Sequence, residues 1–307
     1  MKKMSKILSL VMALVMLLCL CACGSGGSVS RSGGESIFQT PVPETFETRI
    51  QRADEQMTAV KSIRMDMSMD MQMNIKIMGQ SMDMNIIADY GIETERDPLK
   101  MSMNMDMDLA AMGEHQNQKV LFYIEQDGGQ YVVYSSMDGG ATWQKQTTDT
   151  PEELQQQQNA EEEMKLFMAC ADSFQESGKQ TINGSSAIVY KGVLDGEFVK
   201  QAVESSGSLD SVSALLGGTV PEDLFNDLGT ITVTVAFDEQ SGYLVYYEMD
   251  MAEVMGNLMQ RLMKSVMESY GAGEMEIETD VSVTKISVTM SKFDQVSVSI
   301  PDAAKAA

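Results

Sequence analysis

The chain has 307 residues, 43% of them hydrophobic, with 45 acidic against 22 basic side chains and a formal charge of −23. Such an acidic excess excludes nucleic acid as a partner, because phosphate contacts need clustered Lys and Arg, and it disfavours adhesion to anionic lipid. With a single histidine in the whole chain, neither a nucleophile–base enzyme nor a zinc site is expected, and no cofactor is indicated.

Lys2, Lys3 and Lys6 precede an apolar stretch, Ile7–Leu20, too short for a membrane span and flanked like an export signal. Leu20-Cys21-Ala22-Cys23-Gly24 resembles the lipobox of bacterial lipoproteins, with Leu three before the cysteine, a small residue before it and Gly after. The resemblance implies removal of residues 1–22 as a signal peptide. It also implies a diacylglyceryl thioether and an acylated amino group, of palmitate type, on Cys23. An ordinary signal peptide cleaved without lipidation is the competing reading. Several acyl chains anchor stably where one is marginal. The expected location is therefore the cell membrane, lipid-anchored on the extracytoplasmic face, with the bilayer as a partner through Cys23. Cleavage takes three of the 22 basic residues and none of the 45 acidic ones, leaving a formal charge of −26. Residues 23–42 read as the lipidated cysteine and a Ser/Gly-rich flexible tether reaching roughly 20–25 Å. Residues 43–303 form one domain. Cys19 and Cys21 leave with the signal, so Cys170 is the remaining thiol and no intramolecular disulfide forms. Cys170 is expected to be buried and inert in an apolar helix.

The domain opens with a helix over 43–60, where Phe46, Ile50, Ala53, Met57 and Val60 recur at spacings of three and four. From Arg64 to Met78 the pattern becomes strict alternation. Met65, Met67, Met69, Met71, Met73, Ile75 and Ile77 fall on one face, and Asp66, Ser68, Asp70, Gln72, Asn74 and Lys76 on the other. Period two marks a strand with one apolar and one wet face, and fifteen residues at ~3.3 Å each make it about 50 Å long. Gly79-Gln80 is expected to turn the chain into a second strand, pairing Ile77 with Met82, Ile75 with Met84, Met73 with Ile86 and Met69 with Tyr90. Asp97-Pro98 makes the next turn, and Met101, Met103, Met105, Met107 and Leu109 build a third strand. His115 is expected in a solvated polar loop. Strands over 120–125 and 130–135 flank Asp127-Gly128-Gly129, and Asp138-Gly139-Gly140 leads into a short strand holding Trp143.

Thr150-Pro151-Glu152-Glu153 is a helix start, with Thr as N-cap, Pro at the first position and Glu three after the cap. That helix is expected to run to Ser177. Strands over 179–183 and 187–193 follow around Gly184, then short helices over 195–205 and 208–216 and a helical turn over 221–227. A hairpin spans 230–237 and 243–250. Met255, Leu258, Met259, Leu262, Met263, Val266 and Met267 then trace an amphipathic helix over 255–270. Strands over 276–293 and 296–300 end the domain. Ten or eleven strands with helices in three insertions give an α+β class: a large curved antiparallel sheet covered by helices on one face.

The order of elements resembles the LolA/LolB-like lipoprotein-carrier superfamily and uncharacterised Gram-positive surface lipoproteins of that architecture. The lipobox, the helix ending in Met57-Thr58-Ala59-Val60-Lys61-Ser62, Asp97-Pro98-Leu99-Lys100 ahead of a strand, Asp138-Gly139 ahead of Trp143, and the ending Val298-Ser299-Ile300-Pro301-Asp302-Ala303 carry the similarity, which spans about residues 43–303. It implies a half-barrel of about eleven strands whose helices lid a cavity for acyl chains. It carries no binding residue over position by position, and methionine here takes the place of the superfamily's usual Leu, Ile and Phe lining.

Residues 65–112 hold thirteen of the 29 methionines. Burying one gains roughly 1.5–3 kcal/mol, but freezing its rotamers costs up to about 1.5–2, twice the cost for leucine. A wall that re-packs around varied ligands suits methionine better than a rigid core does. The expected activity is non-catalytic binding of a lipid or other hydrophobic small molecule. The candidate lining is Met65, Met67, Met69, Met71, Met73 and Ile75 of the first strand, Met82, Met84 and Ile86 of the second, Met101, Met103, Met105 and Met107 of the third, and Leu258, Leu262 and Val266 of the helix. Two other readings stand beside it: a scaffold or partner-binding module whose apolar face is only a core, and Cu(I) capture by thioethers.

Cys23→Ala is expected to abolish lipidation and release the protein from the membrane fraction. Membrane retention of that variant, measured by fractionation and immunoblot, would sink the lipid-anchor assignment.

Overall fold

The computed structural model of the chain describes residues 44–77, 80–111, 114–148, 167–168, 170–195, 224–269 and 277–307. The expected signal peptide, Cys23, the tether, the helix start at Thr150 and nearly all of the two helices over 195–216 lie outside these residues.

Helix α1, Phe46–Ala59, begins at an N-cap, Thr45, whose hydroxyl accepts the Thr48 amide at 3.3 Å, satisfying one of the orphan donors of the first turn. Strands β1 (Ser62–Ile77), β2 (Gln80–Arg96), β3 (Leu99–Ala111), β4 (Glu114–Asp127), β5 (Gln130–Ser136) and β6 (Gln144–Thr148) then meander outward, each beside its predecessor. Strands β7 (Gln175–Ile182), β8 (Ser185–Asp195), β9 (Thr230–Asp238), β10 (Leu244–Asp250) and β11 (Ile277–Ser291) work inward from the other edge. The result is one open, curved, half-barrel-like antiparallel sheet in the order β6-β5-β4-β3-β2-β1-β11-β10-β9-β8-β7. Helix α2, Ala252–Ser269, connects β10 to β11, and a short α3, Asp302–Lys305, ends the chain.

Turn chemistry closes the meanders. Gly128 and Gly129, at φ 58° and 94°, form the two-residue loop between β4 and β5, a left-handed geometry that matches strand twist. At the β9–β10 hairpin the Asp238 carboxylate accepts from the Gln240 amide, the Ser241 amide and the Ser241 hydroxyl at 3.1, 2.6 and 2.7 Å. Burial alone would raise its pKa; these bonds outweigh burial and hold it below the usual carboxylate range.

The first hairpin keeps its faces but not its expected register. Ile75 pairs with Met82, Met73 with Met84, Met71 with Ile86 and Met67 with Tyr90, two residues away from the pairing read off Gly79-Gln80. The residues between the paired Ile77 and Gln80 are Met78 and Gly79, outside the described set. An even slip leaves every side chain on its original face.

Other expectations need correction. His115 is in β4, paired with Ala110, because the strand starts six residues before its apolar part. Trp143 lies just ahead of β6. The helix expected to reach Ser177 gives way earlier: Ala171–Ser173 is a 3-10 turn and Gln175 opens β7. Cys170 precedes that turn and is half-buried, not sealed in a helix. Residues 224–227, the described part of the helical turn expected over 221–227, form a turn. The segment 296–300 is not a strand; two of its donors go to side chains, the Val296 amide to Ser62 Oγ at 3.0 Å and the Val298 amide to Glu95 Oε1 at 2.6 Å.

The main core lies on the methionine face, where α1, α2, Leu224, Phe225, Phe167 and Phe174 pack over the sheet. Coverage is not confined to that face as expected. On the other side Ile300 and Ala304 pack on Val132 and Tyr134, and Phe293 stacks on Tyr243 at 4.3 Å beside Val245.

Met69 is 2% exposed, so Met69→Asp is expected to destabilise by about 3–5 kcal/mol, while Asp70→Asn on the opposite face changes stability by less than about 0.5. Urea unfolding of both variants checks this, and equal effects would contradict the two-faced strand.

Candidate functional site

The pleat of β1 aims every second side chain at the methionine face, and the ladders extend that face into rows. One row runs Val233, Met249, Ile286, Met69, Ala88, Met107 and Gln118, from β9 to β4. The next runs Val288, Met67, Tyr90, Met105 and Val120. Between Gln72 and Met73 the register of β11 slips by one, so Val283 and Val281 are the paired residues and Ser282 is left over. This bulge resets β11: even positions such as Ile286 and Val288 face the methionine side above it, and Val281 and Thr279 below.

The structure brings the expected lining residues onto one side of the sheet, in two conditions of burial. Met65, Met67, Met69, Met71 and Met73 of β1 are 1–7% exposed. Ile75, Met84, Ile86 and Met107 are buried with them, as are Leu258 and Leu262 of α2. Met82, Met101, Met103 and Met105 are only partly buried at the rim of the same cluster. Val266 lies within α2, beyond the side chains described. Toward one end of β4 the apolar field gives way to Gln118 and Gln116, which follow Val120 on the same face, while Ile124 is continued by Val133 on β5.

Along β3 the half-covered thioethers are opposed by Thr94, Ile92 and Tyr90 on β2 and by Ile124, Phe122 and Val120 on β4. This is an apolar strip of side chains. Methionines are paired across strands at Met73–Met84 and Met65–Met290. Among the described residues no group of three His, Cys, Asp or Glu is placed to hold a metal ion.

Phe122, half-buried beside Met103, was not among the residues expected from sequence. Its signal is its place in the β4 alternation with Val120 and Ile124. Sequence reasoning also missed two concavities of about 440 and 470 Å³, which open on the polar face of β11, β1, β2 and β3. At the larger one the Arg64 guanidinium is hydrogen-bonded to Asp66 at 2.7 Å and to Glu93 at 2.9 Å. The Asp66 bond is the largest influence on it, and together these contacts raise its pKa against the opposing effect of burial.

The profile of DUF6612, a family of unknown function, matches residues 45–216. No curated protein matches the sequence. Among solved structures, the lipoprotein LppX of Mycobacterium tuberculosis aligns at 12% identity over 82% of this chain and 97% of its own, with a TM-score of 0.35. LprF of Mycobacterium bovis aligns at 12% identity over 87% and 100%, with a TM-score of 0.37. A DUF1329 family protein of Desulfovibrio piger aligns at 10% identity over 84% and 94%, with a TM-score of 0.17. None of the three superposes closely enough to transfer a ligand.

Dilute peroxide converts accessible thioethers to sulfoxides. Met137, 59% exposed, is expected to oxidise first, Met101, Met103 and Met105 next, and Met67, Met69 and Met71 last. Peptide mass spectrometry over a time course reads the order directly, and simultaneous oxidation of β1 and β3 would contradict the two burial conditions.

Proposed function

The chain belongs to DUF6612, a family of unknown function, and for it we propose a membrane-anchored, extracytoplasmic lipoprotein that holds a hydrophobic ligand, a lipid or acyl chain, against its methionine face. The observation that carries this reading is the change in burial from β1 to β3, two strands apart in the sheet. The thioethers of β1 are buried, while Met101, Met103 and Met105 of β3 stay half-covered beside Phe122. An acyl chain laid along β3 would complete the burial of that row, gaining ~25 cal/mol per Å² of apolar surface removed from water. Methionine suits the task because its unbranched chain re-packs around ligands of different length. The action is sequestration or handover of the ligand, with no chemical step.

A second reading, a scaffold without a ligand, is favoured by the close packing over β1 and by the placement of both concavities on the polar face. Native mass spectrometry of the gently purified unlipidated domain separates the two, since a co-purified lipid mass supports the first.

A fluorescent fatty acid is expected to bind and to be displaced by unlabelled lipid. Met67, Met71 and Met103 replaced together by Leu keep the wall apolar, so affinity should stay within about tenfold. Loss of tight Cu(I) binding in that triple variant, with no lipid bound by either protein, would overturn the lipid reading in favour of copper.

A further inference from the structure

The face opposite the methionines has a chemistry of its own. Across the larger concavity, one row runs Thr289, Asp66, Gly91 and Asn104, and the next runs Ser287, Ser68, Asp89, Asp106 and Lys119. Gly91 makes the trough. A β-carbon placed there would meet Arg64 Nη2 at 3.4 Å and Asp66 Oδ1 at 3.7 Å, with no closer neighbour. Among the described residues, the side chains of Ser68, Asp89 and Asn104 are without hydrogen-bond partners, so donors and acceptors stand ready beside an open floor.

The smaller concavity lies farther along the same strands and is rich in amides. Gln72, Asn74 and Asn85 line it with Ser282, the residue set aside by the bulge. Among the described residues the buried Asn85 Oδ1 atom has no hydrogen-bond partner, an acceptor that a ligand hydroxyl would satisfy. Between the two troughs stands Ile87, paired with Asp70 and Asp108 and 41% exposed, an apolar side chain in the middle of a polar face.

We propose that this face of β11, β1, β2 and β3 binds a neutral oligosaccharide laid along the strands. Sugar hydroxyls both donate and accept, which suits interleaved carboxylates, amides and hydroxyls. The C–H face of a pyranose ring packs on an aliphatic platform such as Ile87. From Asp66 to Asn74 the strand covers about 26 Å, room for several rings in line. The net negative charge of the face opposes anionic polymers, and Arg64, held by Asp66 and Glu93, is not a free cation for phosphate. A cationic partner would need acidic groups alone and leaves the amides, Gly91 and Ile87 without a role. The site lies on the opposite side of the sheet from the methionine wall and does not depend on a lipid being bound there.

The test is calorimetric titration of the full chain in a zwitterionic detergent with cellotetraose, maltotetraose and chitotetraose. Binding of at least one, indifferent to added NaCl, is expected. Gly91→Val fills the trough at a backbone position open to a β-carbon, and Ile87→Ser removes the platform. Each should weaken binding by about tenfold or more while urea unfolding shows the fold intact. If Gly91→Val fails to fold, Ile87→Ser alone decides. The proposal is overturned if none of the three sugars binds at roughly millimolar concentration, or if binding survives the substitutions. It is equally overturned if spermine binds in a salt-dependent way and the sugars do not.

Discussion

Both faces of this protein depend on β1 being hydrogen-bonded along almost its whole length on both sides. Its ladder to β2 runs from Ser62 to Ile77 and its ladder to β11 from Arg64 to Ile77. A strand paired on both edges is fixed in register twice, and each register fixes which neighbours share a face. The methionine rows and the polar rows are thus two readings of one alignment. A one-residue slip at either ladder would exchange them. Where the β1–β11 ladder does slip, at Ser282, the change of phase keeps Val281 on the apolar side below the bulge and sets Ser282 against the Gln72 carbonyl at 3.3 Å.

A methionine core is a compromise between burial and freedom. Each thioether removes nearly as much apolar surface from water as a leucine does, and surrenders more rotamer entropy to do so. Over β1 that cost is met in full, because the side chains are 1–7% exposed. Over β3 it is met only in part. Half-covered methionines retain the freedom that makes them adaptable, so the boundary between the strands separates a rigid part of the wall from a compliant one.

The period of two made most of the sheet legible before any coordinate. It placed the alternating residues of β1, β2 and β3 on common faces, and the spacing of three and four marked the α2 stripe. The turn rule at Gly79-Gln80 misplaces the register by two residues, and the alternation cannot reveal it because any even shift keeps every side chain on its face. The helix expected through Ser177 and the strand expected over 296–300 failed for a related reason. Both were judged from local pattern, while Gln175–Ile182 is claimed by pairing with β8 and Val296 and Val298 are claimed by Ser62 and Glu95. His115 was misread as a loop because β4 continues past its apolar residues into a polar stretch that only the partner strand reveals. The two concavities on the polar face were hidden because period-two reasoning assigns solvent to that side and asks nothing more. Yet Ile87 and Gly91 both break the polar alternation of β2, and the phase change in β11 from Val281 and Val283 to Ile286 and Val288 announces the bulge.

The order of the strands also governs how the chain reaches its native state. β1 and β11 lie side by side in the sheet although more than two hundred residues separate them in sequence. Non-local pairing of this kind slows folding. Until the last long strand arrives, the β1–β6 meander presents an unpaired central edge and an uncovered thioether surface, the conditions under which sheets join to one another. The acidic side chains at Asp66 and Asp70 stand on that waiting strand, and Asp83 and Asp89 on the strand beside it. Their mutual repulsion between chains opposes stacking during that interval, so the charge of the wet face serves the nascent protein as much as the finished one.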